Sequence, residues 1–186
     1  KNGYTWVIDP IDGTIAFSCG KPVFATLIAL MKDGIPLIGI IDQPITKERW
    51  VGVSGNTTML NEEPVKSSTL TDLSKAKLST TSPGMFTDPM SAAFFKELQN
   101  RVHITSFGGD AYQYGLCASG HIDIVVEKGL NLYDWAALVP VLKGSGAVIT
   151  DWNGEELTNS SKGDVLVTGN QNLHEQVLQI IRQAAL

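Results

Sequence analysis

Cysteine is scarce in this 186-residue chain, with only Cys19 and Cys117, in dissimilar contexts and without C-x-x-C or His-rich spacing. That pattern argues against a disulfide framework or a thiolate zinc site, and it leads us to expect free thiols in a reducing compartment, the cytoplasm. Long apolar runs are missing too. No stretch approaches the roughly 18 residues of a spanning helix, and the N-terminus lacks the charged-then-apolar profile of a signal peptide, so no membrane partner is expected. Basic residues are few, 14 Lys and Arg against 19 Asp and Glu for a net charge of -5. With no Lys/Arg stripe to neutralise phosphates in series, a nucleic-acid partner is not expected, whereas a small anionic substrate can be met by metal ions. The three histidines, His103, His121 and His174, are scattered singly and are not read as metal ligands.

What is present suits a compact domain: 43% hydrophobic and 18% charged residues, enough for one sizeable core. The most informative stretch is Asp9-Pro10-Ile11-Asp12-Gly13-Thr14 after the apolar run Trp6-Val7-Ile8. It puts two carboxylates three residues apart at a strand end, where Pro10 and Gly13 bend the backbone so that both converge on a hard divalent ion. The bland reading is an Asp-rich turn before a capped helix. A calcium loop fails on spacing, because Ile11 takes the second ligand position and Gly20 stands where a bidentate Glu is required.

Along the chain, runs over 23–31 and 35–41 joined by Lys32-Asp33-Gly34, and runs over 49–53 and 57–60 around Ser54-Gly55-Asn56, predict an antiparallel meander. Asn61 to Pro64 reads as a turn. Beyond it we expect strands over 76–80, 102–107, 122–126, 147–151 and 165–168, and helices over 91–101, 111–119, 135–143 and 173–184. No repeat, low-complexity tract or linker divides the chain, so one domain over 1–186 is expected. Trp50 and Trp152 are read as packing residues, and Arg49 as a surface residue that Asp42 could pair with.

A second signal completes the first: Leu130-Asn131-Leu132-Tyr133-Asp134-Trp135 opens an apolar helix that ends in Gly144-Ser145-Gly146. The Asp-Pro-Ile-Asp-Gly-Thr segment together with this Asp-Trp segment resembles the inositol monophosphatase family of metal-dependent phosphatases, over essentially the whole chain. The resemblance implies an α+β fold, a layered α/β/α/β/α sandwich of the inositol monophosphatase and fructose bisphosphatase kind. It also implies a homodimer, and two or three Mg2+ ions held by Asp9, Asp12 and Asp134 with the carbonyl of Ile11, Asp9 bridging two of them. One ion would activate the attacking water and another would stabilise the leaving alkoxide. Asp9 and Thr14 are the catalytic candidates, the Thr14 hydroxyl orienting the water or else serving only as a plain N-terminal helix cap. Gly13 and Thr14, at the start of that helix, are the phosphate-binding candidates. Family members hold the leaving alcohol with the residues matching Gly108, Gly109, Asp110 and Glu127, although Asp110 is equally readable as a helix cap.

Within the family, Gly39-Ile40-Ile41-Asp42-Gln43-Pro44 with Glu48-Arg49-Trp50-Val51-Gly52-Val53, together with Gly20-Lys21-Pro22, looks like the histidinol-phosphate phosphatase branch. The acidic pair Asp110 and Glu127 fits the ammonium of that substrate. Ile15 departs from the branch, where a basic residue usually follows Gly-Thr. The substrate implied is histidinol phosphate, with inositol or sugar monophosphates as the alternative. The family also places about two helices and a Gly-Glu-Glu segment, whose Glu is a further metal ligand, before the first motif. Nothing in Lys1-Asn2-Gly3-Tyr4 replaces that segment. The chain thus resembles a member missing its N-terminal portion, and a non-catalytic ligand-binding remnant is the reading from another class.

Overall fold

The computed structural model describes residues 3–185. Six strands, β1 (Tyr4–Asp12), β2 (Ala25–Lys32), β3 (Ile35–Gln43), β4 (Glu48–Val53), β5 (Met59–Leu60) and β6 (Glu63–Pro64), form an antiparallel meander in that order. The turn between β2 and β3 carries Asp33 at φ 51° and Gly34 at φ 86°, both left-handed, as a two-residue hairpin with native twist requires. The expected turn at 61–64 is present at Asn61 and Glu62, but Glu63–Pro64 goes on to pair as β6.

A second sheet holds β7 (Lys77–Thr80), β8 (Ile104–Phe107), β9 (Ile124–Glu127), β10 (Val148–Asp151) and β11 (Val165–Thr168) in the order β10-β11-β9-β7-β8. Strand β7 runs parallel to β8 and β9, and the other pairs are antiparallel. The helices are α1 (Thr14–Ser18), α2 (Pro89–Arg101), α3 (Tyr112–Ala118), α4 (Leu132–Trp135), α5 (Leu138–Ser145) and α6 (Gln171–Ala184). Helix α2 starts two residues before the expected 91, because Asp88 caps it through the Ser91 N–H at 3.1 Å and Pro89 suits the first helical position. The helix expected over 135–143 is two helices, α4 and α5: Pro140 has no N–H to give the Ala136 carbonyl, so the helical ladder is interrupted there.

One core lies between the sheets, where Leu27, Ile41 and Trp50 of the first meet Val125 and Val167 of the second around α3 and α5. A second core lies under α2 and α6, built on Phe94, Leu98, Leu166 and Val177. Helix α5 lies directly on the first sheet. A Cβ on Gly39 would stand 1.9 Å from the Ala137 carbonyl oxygen, and one on Gly52 2.4 Å from that of Pro140, so only glycine permits this approach. The resulting layers are those of the expected sandwich without one outer helical layer, and Tyr4, Trp6 and Ile8 are exposed on the first sheet's outer face. Trp50 and Trp152 are buried packing residues, and Arg49 pairs with Asp42 at 2.6 Å. Among the described residues, no helix is long and apolar enough to cross a membrane.

His174, 1% exposed, sits between the hydroxyls of Thr150 at 2.9 Å and Thr168 at 3.0 Å, which is a structural role. Burial pushes its pKa down from 6.5 to about 4, opposed weakly by Glu175. Between those two values the unfolded chain binds the proton and the folded chain does not, so stability contributed by the neutral ring is full above about pH 6.5 and is lost as the pH falls towards 4. The loss should reach roughly 3 kcal/mol, at about 1.4 kcal/mol per pKa unit. Urea unfolding at several pH values checks this: His174→Gln should flatten the dependence in that window, and an unchanged slope would refute it.

Candidate active site

The acidic motif lies at the end of β1, an edge strand, where Pro10 removes no ladder donor that the sheet needs. Asp9 faces Leu27 and Asp12 faces Ala25, so Pro10 and Ile11 together oppose the single residue Thr26. This is a β-bulge. In a regular strand residues three apart face opposite sides, and the one extra residue brings Asp9 and Asp12 to the same side. The Thr26 hydroxyl pins the bulge by donating to the Pro10 carbonyl at 2.9 Å, and the Ile11 N–H donates to Asp9 Oδ1 at 3.1 Å.

Asp134 comes from the other half of the chain. It is the third residue of α4, and its Oδ2 accepts the Asn131 N–H at 2.7 Å in a capping box that anchors the helix start beside β1. That cap was legible as Asn131-x-x-Asp134, but the sequence reading gave Asp134 only the metal role. Asp12 Oδ1 accepts the Ala111 N–H at 2.8 Å, which ties the motif to the start of α3. Ligand oxygens of Asp9, Asp12 and Asp134 lie within 4.8 Å of one another.

Burial pushes the Asp12 carboxyl up to about 8, with repulsion from Asp134, Glu127 and Asp110 adding to it and the Ala111 N–H opposing it. Asp134 is raised as well, first by burial and then by Asp9, against the Asn131 hydrogen bonds. Crowded carboxylates of this kind are relieved by a cation, and an all-oxygen donor set without sulfur or imidazole fits Mg2+ and its class better than softer metals. The residues present therefore fit the divalent ions that the resemblance implies.

Around this group runs a cleft of about 170 Å³ lined by Asp12, Gly13, Thr14, Asp110, Glu127 and Asp134, with Ile15, Thr81, Met85 and Leu130. Other clefts are larger, at about 520, 650 and 700 Å³, but among the described residues only Asp9, Asp12 and Asp134 bring three ligating groups together. Gly13 caps α1 at φ 83°, and a Cβ there would come within 3.0 Å of Asp110, so glycine is needed on both counts. Thr14 opens α1 rather than capping it.

Gly108 and Gly109 lead into Asp110, which holds a left-handed φ of 42°. The cap reading of Asp110 fails, because α3 has no side-chain cap and the Asp110 carboxylate accepts no hydrogen bond from any described residue. Its pKa is raised by burial, with the charge of Lys21 opposing. Glu127 is 3% exposed, and its oxygens accept from the Thr81 N–H at 2.7 Å, Gln113 at 2.9 Å and the Tyr114 hydroxyl at 3.0 Å. It stands on the cleft floor with most of its hydrogen-bonding capacity already used. The sequence reading missed Gln113 and Tyr114, which carry no motif signal beyond polar residues at the start of an otherwise apolar helix.

A bulged strand end and a capped helix thus converge three aspartates into an acidic cluster that could hold a divalent metal ion. The chain belongs to the inositol monophosphatase family, whose family model matches residues 1–186 and whose members are metal-dependent phosphatases. It is 45% identical over 183 residues to the chloroplastic bifunctional phosphatase IMPL2 of Arabidopsis thaliana, covering 95% of this chain and 53% of that protein. It is 33% identical to a histidinol-phosphatase of Mycobacterium tuberculosis, covering 95% of this chain and 68% of that one. Among solved structures, an inositol monophosphatase from Zymomonas mobilis superposes with a TM-score of 0.93 at 44% identity, covering 97% of this chain and 71% of that one. The chain thus spans about half the length of the plant relative and about two thirds of the bacterial ones.

Proposed function

We propose that this chain is the larger part of a Mg2+-dependent phosphomonoesterase that hydrolyses histidinol phosphate to histidinol and phosphate. The observation that carries this reading is a half-buried carboxylate that accepts no hydrogen bond from any described residue, Asp110, opening into the same cleft as two of the three converging aspartates, Asp12 and Asp134. The name of the mycobacterial relative, a histidinol-phosphatase, supports it. In this reading Asp9, Asp12 and Asp134 hold two or three ions, with the Ile11 carbonyl as a further ligand. The ions supply positive charge at the phosphoryl oxygens and make a water acidic enough to be deprotonated near neutral pH. Gly13 and Thr14 present backbone N–H groups to the phosphate, and the Thr14 hydroxyl orients the water. Asp110 receives the ammonium of the leaving alcohol, and Glu127 closes the floor beneath it. Cys19 and Cys117 are unpaired, which accords with a reducing compartment such as the cytoplasm, although the plant relative is named chloroplastic.

A second reading, an inositol or sugar monophosphatase, is favoured by Ile15. This residue is 79% exposed at the cleft mouth, where the histidinol-phosphate branch carries a base. Substrate comparison separates the two. A charge-assisted hydrogen bond from substrate ammonium to Asp110 is worth about 1.5–3 kcal/mol. Asp110→Asn should therefore lower kcat/KM for histidinol phosphate roughly ten- to a hundredfold and change inositol 1-phosphate little. Equal loss on both substrates would give Asp110 a general shaping role, and full retention would remove it from the substrate site.

A further inference from the structure

We propose that Gln113 is a positioning residue for the metal centre: its buried amide fixes the start of α3, and through the Ala111 N–H it fixes Asp12. The inference rests on the metal-binding reading of Asp9, Asp12 and Asp134. Gln113 is fully buried, and the amide has one sensible orientation. Glu127 Oε1 already accepts the Thr81 N–H at 2.7 Å, so the Gln113 Nε2 must face it, at 2.9 Å, with Thr81 Oγ1 at 3.2 Å. That leaves Gln113 Oε1 to accept the Ser79 hydroxyl at 2.7 Å. One side chain therefore joins β7, β9 and α3, with every polar atom engaged.

The loop that carries the site rests on this side chain. A Cβ on Gly109 would come within 2.7 Å of the Gln113 Cβ, so the backbone of 108–110 lies directly against it, and the Gln113 N–H also bonds the Gly109 carbonyl at 3.1 Å. Ala111, two residues before Gln113, gives its N–H to Asp12. Asp110, held left-handed between Gly109 and Ala111, lines the cleft with a carboxylate that accepts no hydrogen bond from any described residue. Neither Ser79 nor Gln113 lines that cleft, so any effect they have on it passes through Ala111, Asp110 and Glu127. An apolar side chain of similar length would fill the space but leave Ser79 and Glu127 short of a partner, whereas the amide also sets where α3 begins.

The test reads metal affinity rather than turnover. Free Mn2+ is titrated against this chain and followed by electron paramagnetic resonance, at a temperature where melting curves in EDTA show each variant folded. Gln113→Leu should weaken Mn2+ binding about ten- to a hundredfold, the usual cost of losing a group that orients a metal ligand. Ser79→Ala should weaken it a few-fold in the wild-type background and not at all in the Gln113→Leu background, since Ser79 acts only through the amide. Unchanged affinity in both single variants, or additive losses in the double variant, would overturn the inference. If Gln113→Leu fails to fold, Ser79→Ala decides alone, with full Mn2+ affinity counting against the inference. A wild-type chain that binds no Mn2+ would instead remove the metal-centre reading on which the inference stands.

Discussion

Asp9→Asn should abolish phosphate release in the complete protein while leaving the fold intact and, in EDTA, slightly more stable. The substitution keeps the side-chain volume and an oxygen that can still accept the Ile11 N–H, so the bulge that aims Asp9 and Asp12 together is retained. What disappears is one anionic ligand out of three that converge within 4.8 Å. Transition-state charge stabilisation by a bound divalent ion is worth several kcal/mol, and each 1.36 kcal/mol is tenfold in rate. A fall in kcat/KM of about a thousandfold or more is therefore expected. Without metal the effect on stability reverses in sign, because repulsion from Asp9 is one of the causes that raise the Asp134 carboxyl, and the amide removes it. Phosphate release in saturating Mg2+ and thermal melting in EDTA are the paired measurements. Wild-type turnover in the variant would sink the site assignment, and a large drop in melting temperature would show that Asp9 serves the fold instead.

The three converging aspartates were legible in the sequence only as a pair of motifs, because the Asp-Pro-Ile-Asp-Gly-Thr run alone reads as well as an Asp-rich turn and the distant Asp-Trp segment is what completes it. The manner of their convergence was not legible. A bulge is a property of two strands, and only the pairing of Asp9 with Leu27 and Asp12 with Ala25 reveals that Pro10 and Ile11 share one partner. The break between α4 and α5 could have been drawn from Pro140, but the strength of the apolar run over 135–143 concealed it. Asp110 could be read in the sequence either as a substrate contact or as a helix cap, and the cap reading was excluded only by the absence of a side-chain bond to the start of α3. The network of Gln113, Ser79, Thr81 and Glu127 was out of reach, since its hydrogen bonds join residues up to 46 positions apart that no local pattern encodes. The meander fared best, because its hairpin signals at Asp33-Gly34 and Ser54-Gly55-Asn56 are local.

Supplying the segment that the family resemblance implies before the first motif should raise the phosphatase rate of this chain by about 10²- to 10⁴-fold, the usual range for a positioned general base. We propose that this segment does two things. It brings the Glu of the Gly-Glu-Glu run, which completes the ligand set and activates the water, and it covers the outer face of the six-stranded sheet. On β1, β2 and β3 the residues pointing inward are Val7, Leu27, Ala29 and Ile41, which pack in the core, so their neighbours point outward. Cross-strand register then lines up Trp6 with Leu30, Ile8 with Ile28, and these with Ile38 and Ile40, continuing to Val53 and Val51. A continuous apolar face of this kind marks a docking surface, and left bare it promotes association. Trp6 reports on it directly: it is 61% exposed, whereas Trp50, Trp135 and Trp152 are at most 5% exposed. In the longer form Trp6 emission should shift to the blue, and Trp6→Phe should abolish that shift. Sedimentation should show the short chain forming irregular aggregates and the longer form a single species, a homodimer. If this chain turns over substrate as fast as the longer form, the Glu of that segment plays no part in the chemistry; if Trp6 emission is the same in both, the segment packs elsewhere.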